Sequence, residues 1–224
     1  MTLIDYPGKI AATVFTVGCN FCCPFCHNPE LVDPKKTKKQ PRVGEAELFD
    51  FLATRQGLLE GVCITGGEPT LQADLPNFIR KIRDLGYLVK LDTNGSNPGM
   101  LEQVLADGLV DYVAMDIKAP LEKYKEVVGS SVALEEIQRS VELIQRWATD
   151  YEFRTTVLPS LHSAKDLLSI GRWLQGAKKY YLQQFQPSKC LDDNFLGEKP
   201  YKLDKLVKVC NSLKVFFDEC GIRE

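Results

Sequence analysis

Short runs rich in β-branched and aromatic residues alternate along the chain with longer segments in which apolar residues recur every three or four positions. The first short run, Ile10–Val17, combines Val, Ile, Phe and Thr, which is typical of a β-strand. Five later runs are of the same kind: Gly61–Thr65, Tyr87–Asp92, Val110–Ile117, Tyr151–Leu158 and Tyr180–Phe185. We therefore expect six strands.

The segments between these runs have helical periodicity. One apolar face is formed by Leu134, Ile137, Val141, Ile144 and Trp147. Asp74 is expected to cap a helix that ends at Gly86, and Ser163 to cap one that ends near Leu174. A last apolar face predicts a C-terminal helical tail over residues 202–222. Trp147 and Trp173 lie on apolar helix faces, so we expect both in the core.

Strands that alternate with helices predict an α/β fold with a parallel sheet and right-handed crossovers. Six β/α units fall short of the eight in a full TIM barrel. We therefore expect a partial (β/α)6 TIM-like barrel. Because no composition shift marks a boundary, residues 1–224 are expected to form a single domain.

Composition narrows the function classes. The 224 residues include 44% hydrophobic ones, enough for one sizeable core, and the formal net charge of -2 offers no electrostatic basis for binding nucleic acid. No secretory signal and no apolar run of membrane-spanning length is present. We therefore expect a cytoplasmic protein with neither nucleic acid nor membrane as partner. In that reducing compartment, its eight cysteines suit metal ligation or burial better than disulfides.

Four of the cysteines lie close together in the loop after the first strand, residues 18–30. Cys19, Cys23 and Cys26 have C-x3-C-x2-C spacing, and three thiolates can hold a 4Fe–4S cluster with one iron open to an external ligand. Cys22 leaves other sets possible, including Cys19, Cys22 and Cys26, or a zinc site completed by His27. The remaining cysteines are widely spaced, so a second cluster from Cys190, Cys210 and Cys220 is the weaker alternative to burial.

The cysteine loop resembles the signature of radical S-adenosylmethionine (SAM) enzymes, in the form found in activating enzymes of glycyl radical enzymes. The resemblance rests on Cys19-x3-Cys23-Pro-Phe-Cys26-His27-Asn28-Pro29-Glu30 and on the lead-in Thr2–Lys9. Within that group the chain is most similar to the activating proteins of anaerobic ribonucleoside-triphosphate reductase, in the pyruvate formate-lyase-activase-like branch. Cys22 departs from the pattern, which often has Arg there.

The resemblance implies that a 4Fe–4S cluster on Cys19, Cys23 and Cys26 reductively cleaves SAM. The resulting 5′-deoxyadenosyl radical would take a Cα hydrogen from a glycine of a partner enzyme. A low-potential donor such as flavodoxin or ferredoxin would supply the electron. The cofactor performs the difficult chemistry, so no side chain is expected to act as acid or base.

Polar residues at successive strand ends are expected to hold SAM, because β/α proteins build their sites there. Paired glycines at Gly66 and Gly67 let the backbone approach a ligand. By resemblance, the turn that they form with Glu68 and Pro69 bonds the amino group of SAM. The resemblance adds further SAM contacts from Phe25, Asp92, Thr93, Asp116, Lys118, Arg154 and Gln186. Asp92, Thr93 and Asp116 could also hold a monovalent cation.

Two alternatives follow from the same residues. A radical SAM enzyme acting on a small molecule, similar to 7-carboxy-7-deazaguanine synthase, shares the short barrel and the Gly-Gly-Glu-Pro turn. A non-catalytic zinc-binding interaction protein would use the cysteines without SAM. The compact chain leaves little sequence for a substrate domain, so we expect an open barrel mouth that suits a peptide loop better than a small metabolite.

Overall fold

Parallel strands in sequential order form one open sheet in the computed structural model, which describes residues 2–223. The sheet has seven strands, β1 to β7, each bonded to the next. They span Ala11–Thr16, Gly61–Gly66, Leu88–Thr93, Tyr112–Asp116, Asp150–Val157, Ala177–Gln184 and Phe217–Arg223. The predicted α/β class and all six predicted strands are confirmed, with ends that agree to within three residues.

Helices connect the strands and cover one face of the sheet. Helices α1 to α9 span Pro29–Val32, Pro34–Thr37, Glu45–Ala53, Leu75–Asp84, Pro98–Ala106, Tyr124–Val128, Leu134–Trp147, Ala164–Trp173 and Leu203–Leu213. Short 3-10 turns lie at Pro69–Leu71, Leu121–Lys123, Asp193–Gly197 and Lys214–Phe216. Ser163 forms a capping box with Asp166 at the start of α8, as predicted. Asp74 occupies the N-cap of α4, but its side chain accepts no hydrogen bond there.

The predicted helical tail is wrong beyond Leu213, because the chain turns there into a seventh parallel strand. That strand, Phe217-Asp-Glu-Cys-Gly-Ile-Arg223, is hard to see in the sequence. Asp, Glu and Gly, which β7 contains, are depleted in strands. The segment is a strand because it pairs with β6 at the edge of the sheet. Trp147 is also not a core residue: it ends α7 and is 40% exposed.

The two faces of the sheet differ in chemistry. The face toward the helices is apolar and belongs to the main core, as at Ile64, Leu91 and Val113. The inner face of the partial barrel is largely polar, apart from a small apolar cluster of Tyr6, Ala11, Leu88, Tyr112 and Ala114. Toward the amino ends of β1 to β5, the residues paired across neighbouring strands on this face are Thr13, Cys63, Lys90, Tyr112 and Asp150. The helix side therefore supplies most of the hydrophobic stabilisation, and the inner face is available for chemistry.

The barrel is closed at one end and open at one side. The N-terminal segment covers the amino end of the inner face, where the Tyr6 ring lies 6.0 Å from the Tyr112 ring and Thr13 donates to Asp5 at 2.6 Å. Strands β1 and β7 do not pair, so a lateral gap separates them. Phe15 of β1, on the inner face beside this gap, is 52% exposed. Within residues 2–223, no helix has the length and hydropathy that a membrane crossing requires.

We predict that β7 depends on one buried charge pair. Arg223 donates two hydrogen bonds of 2.6 Å to Glu152, a fully buried carboxylate on β5. Burial favours protonation of Glu152, but Arg223 outweighs it and the pKa of the carboxyl is lowered. Arg223→Met leaves that charge underpaired and should lower the free energy of unfolding by about 3 kcal/mol.

Urea unfolding measures this effect. Arg139→Met is the matched control, because Arg139 pairs with Glu102 on the surface, where a lost ion pair costs less than about 0.5 kcal/mol. Equal losses in the two variants would contradict the prediction.

Candidate active site

A cavity of about 250 Å³ opens at the carboxyl ends of the strands, where the cysteine loop crosses them. It is lined by most of the residues that the sequence singled out: Cys19, Cys23, Phe25, Cys26, Gly66, Gly67, Glu68, Asp92, Thr93, Asp116, Lys118 and Arg154. Two predicted residues are not among its lining. Pro69 is buried in the turn beyond Glu68, and Gln186 is exposed. Gln183, on β6, lines the cavity instead.

The cysteine loop separates its four thiols into two groups. Cys19, Cys23 and Cys26 line the cavity, whereas Cys22 is exposed and does not. The Cys22 backbone N–H donates to the carbonyl of Val128 at the end of α6, at 3.0 Å, which directs this residue away from the site. Burial raises the pKa of all three lining thiols, that of Cys23 to about 12. Iron or zinc bound here would displace their protons.

Hydrogen-bond donors surround the sulfur of Cys19. The Phe21 backbone N–H donates to Cys19 Sγ at 3.4 Å, and the Asn94 amide lies 3.7 Å from it. His27 Nε2, which belongs to a residue lining the cavity, is buried and has no hydrogen-bond partner. Within residues 2–223, no three His, Cys, Asp or Glu side chains converge closely enough to hold a single metal ion.

The Gly-Gly turn is packed against the cysteine loop itself. A Cβ on Gly67 would lie 1.9 Å from the Gly18 carbonyl oxygen, and one on Gly66 would lie 2.5 Å from backbone atoms of Thr16. The Glu68 backbone N–H also donates to the Gly18 carbonyl at 2.8 Å. These glycines therefore have a second role besides the expected approach to a ligand: they let the turn pack against the backbone of the loop at the end of β1.

Glu68 connects the Gly-Gly turn to the end of β3 through hydrogen bonds to its side chain. Its buried carboxylate accepts from the Thr70 N–H at 3.1 Å and hydroxyl at 2.5 Å, from the Thr93 hydroxyl at 2.8 Å and from the Asn94 N–H at 2.6 Å. Burial raises the pKa of Glu68 above its usual value. Because these donors occupy both oxygens, Glu68 positions the ends of β2 and β3 relative to each other.

An ionic layer crosses the floor of the cavity. Arg154 on β5 donates through Nε to Asp116 at 2.9 Å and lies 3.5 Å from Asp92. Lys118 contacts the other Asp116 oxygen at 3.0 Å. Burial opposes the charged form of Asp116, but Arg154 and Lys118 hold its pKa well below the usual range. Three strand ends are thus joined by charge pairs with little exposure to water.

A buried histidine fixes the backbone of Lys118. His162 Nε2 lies 2.8 Å from the Lys118 carbonyl, and its Nδ1 accepts from the Leu158 N–H at 3.2 Å. This pattern defines the neutral tautomer with the proton on Nε2. Burial lowers the pKa of His162, which agrees with a neutral ring.

Several functional candidates are absent from the sequence-based set. Four of them line the cavity: Phe21, Asn94, Thr156 and Gln183. Lys90 contacts Asp92 from within the sheet. The alternation of strand residues could have revealed Lys90, because it lies two positions before Asp92 and therefore on the same face.

We predict that Gly67→Ala displaces the cysteine loop, because the new methyl group meets backbone that cannot rotate away. The bound iron after anaerobic reconstitution should fall at least severalfold, as measured by iron and sulfide per chain. Gly197→Ala is the control, since a Cβ there meets nothing within 4 Å. Full iron loading of Gly67→Ala would show that the loop does not depend on this contact.

Comparison with known proteins agrees with this geometry. Residues 13–162 match the model of the Radical SAM superfamily. The chain is 33% identical, over its whole length and 92% of the relative, to a Methanocaldococcus jannaschii protein named "Putative glycyl-radical enzyme activating enzyme". It is 28% identical to the pyruvate formate-lyase-activating enzyme of Clostridium pasteurianum, over 74% of this chain and 69% of that protein.

The fold is also similar to a solved structure, Streptococcus suis SuiB bound to S-adenosylmethionine. The TM-score is 0.72 at 13% identity, and the match covers 95% of this chain and 50% of SuiB. This chain thus spans about half the length of that structure, and the likeness concerns the fold. The family model covers well over half of the chain and the M. jannaschii relative covers all of it. The chain therefore belongs to the radical SAM superfamily of enzymes.

Proposed function

We propose that this chain activates a glycyl radical enzyme, and that its partner is an anaerobic ribonucleoside-triphosphate reductase. The observation that supports this most directly is the meeting, in one cavity, of the C-x3-C-x2-C thiols and the polar ends of four strands. The full-length likeness to a protein named as an activating enzyme adds to it. The partner itself rests on the sequence resemblance.

Cys19, Cys23 and Cys26 would hold a 4Fe–4S cluster. The donor set fits this group, because three thiols lie around one cavity and amide donors surround the Cys19 sulfur. When bound, the cluster and SAM supply a 5′-deoxyadenosyl radical that can take a hydrogen atom from substrate. We propose flavodoxin or ferredoxin as the electron donor.

The residues of the cavity would orient SAM. The Glu68 carboxylate already accepts four hydrogen bonds from within the protein. The amino group of SAM would therefore donate to backbone carbonyls of the turn. Lys118 and Arg154 are the cations available to the carboxylate of SAM, and Phe25 offers a buried aromatic surface to the adenine. No side chain is required to transfer a proton.

The lateral gap between β1 and β7 provides a route for a peptide loop. A small metabolite is usually held in a pocket that buries most of its surface, whereas this gap leaves the inner face exposed at Phe15. Hydrogen transfer demands near-contact geometry, so a glycine must leave its own fold to reach the cavity.

The cluster assignment predicts different outcomes for neighbouring cysteines. Cys19→Ala, Cys23→Ala and Cys26→Ala should each lose most of the iron and the visible absorbance of the cluster, because each removes a thiolate ligand. Cys22→Ala is the matched control and should keep both, since that thiol is outside the cavity. Loss in Cys22→Ala together with retention in Cys23→Ala would overturn the ligand set.

The partner assignment predicts hydrogen transfer from a protein. The reduced enzyme is incubated anaerobically with SAM and a reductase whose glycines are deuterated at Cα. Deuterium should enter 5′-deoxyadenosine, and a stable protein radical should appear by electron paramagnetic resonance. A reductase with alanine in place of the radical-bearing glycine is the control. Deuterium arriving only from a labelled small metabolite would favour the alternative of a small-molecule enzyme.

A further inference from the structure

A lysine lies in the interior of the partial barrel, just below the cavity. The side chain of Lys90, on the inner face of β3, is 1% exposed. Its Nζ contacts Asp92 Oδ1, lies 3.8 Å from the Cys63 sulfur and is 6.0 Å from the centre of the Tyr112 ring. Transferring an ammonium group from water to the protein interior costs roughly several kcal/mol of free energy, so a buried lysine needs a charged partner. Asp92 is the carboxylate that Lys90 contacts directly.

The residues expected to hold a monovalent cation already have protein partners. Asp92 is contacted by Lys90 through one oxygen and by Arg154 through the other. Asp116 is contacted by Arg154 and Lys118 through its two oxygens. The Thr93 hydroxyl donates to Glu68 and accepts from the Gly95 N–H. These oxygens do not fit an additional cation without breaking existing contacts.

The charge balance at this floor points the same way. Four cations, Lys90, Lys118, Arg154 and Arg223, face three carboxylates, Asp92, Asp116 and Glu152, so the group already has an excess of positive charge. A further cation would be repelled, and the low exposure of the layer strengthens that repulsion. An incoming carboxylate would instead be attracted.

We propose that Lys90 is a built-in replacement for a dissolved monovalent cation, and that it positions Asp92 and, through Arg154, the floor on which SAM binds. This inference rests on the proposed binding of SAM in the cavity. Lys90 acts through its neighbours and is a positioning residue. Binding of SAM should therefore not require potassium or sodium.

The first test uses the unaltered protein. SAM affinity of the reconstituted enzyme is measured calorimetrically in potassium chloride and in tetramethylammonium chloride at equal ionic strength. Tetramethylammonium is too large to replace a coordinated cation, and it has no N–H group that could replace the ammonium group of Lys90. Equal affinity in the two salts supports the proposal. An affinity several times higher in potassium would overturn it, and no binding in either salt would instead contradict the proposed function.

The second test removes the ammonium group in two ways. Lys90→Ala leaves a space beside Asp92, whereas Lys90→Met fills it with an uncharged side chain. Both should weaken SAM binding about tenfold in tetramethylammonium, which is the scale for losing one charged hydrogen bond. Potassium or methylammonium should restore binding to Lys90→Ala and not to Lys90→Met. A purely structural role would give no such cation-specific rescue.

Lys179→Met is the matched control. Lys179 lies on β6, on the same inner face of the sheet as Lys90, and pairs with Asp150 at 2.8 Å. This pair is at the amino end of the strands and does not line the cavity. Its replacement should leave SAM affinity unchanged in both salts. Iron content and the unfolding temperature of each variant show whether it is folded. Full SAM affinity in a folded, iron-loaded Lys90→Met would overturn the proposal.

Discussion

The guanidinium of Arg154 is the interaction on which the floor of the site depends. It is the cation shared by Asp92 of β3, Asp116 of β4 and Glu152 of its own strand. Burial disfavours its charge, but these carboxylates raise its pKa well above the usual value. Each of these carboxylates also has a second cation, Lys90, Lys118 or Arg223, but only Arg154 contacts all three and joins the pairs into one layer. The ends of three strands are held in register by these shared contacts.

The cysteine loop is fixed by different means, mainly backbone contacts. The Gly18 N–H donates to the Leu31 carbonyl at 2.9 Å, and the Gly18 carbonyl receives the Glu68 N–H. A further bond joins the loop at Cys22 to α6. Backbone hydrogen bonds therefore position the three thiols, whereas the side chains of the ionic layer determine the charge at the floor of the cavity below them. Since the two systems meet at the Gly66–Glu68 turn, a change at this turn affects both.

The predictable part of the site is the part with local signals. Cysteine spacing, strand-end polar residues and the Gly-Gly turn are each visible in a few consecutive residues. The seventh strand has no such local signal, because its sequence is unfavourable for a strand and its pairing with β6 compensates for that. The buried position of Lys90 depends on Asp92, Cys63 and the Tyr112 ring, which come from three strands. Gln186 is expected at the site only from the resemblance, and it lies two residues beyond the end of β6 at Gln184.

Access to the site is a consequence of this division between faces. The main core lies between sheet and helices, and only a small apolar cluster around Tyr6 and Tyr112 lies on the inner face, so the barrel can stay open at β1 and β7. Tyr6 and its neighbours close the amino end, which leaves the carboxyl end and the lateral gap as routes inward. A molecule that enters by either route meets the same ionic layer at the floor of the cavity. Selection between entering molecules is therefore expected at the edges of the gap, since a fold alone does not determine a substrate.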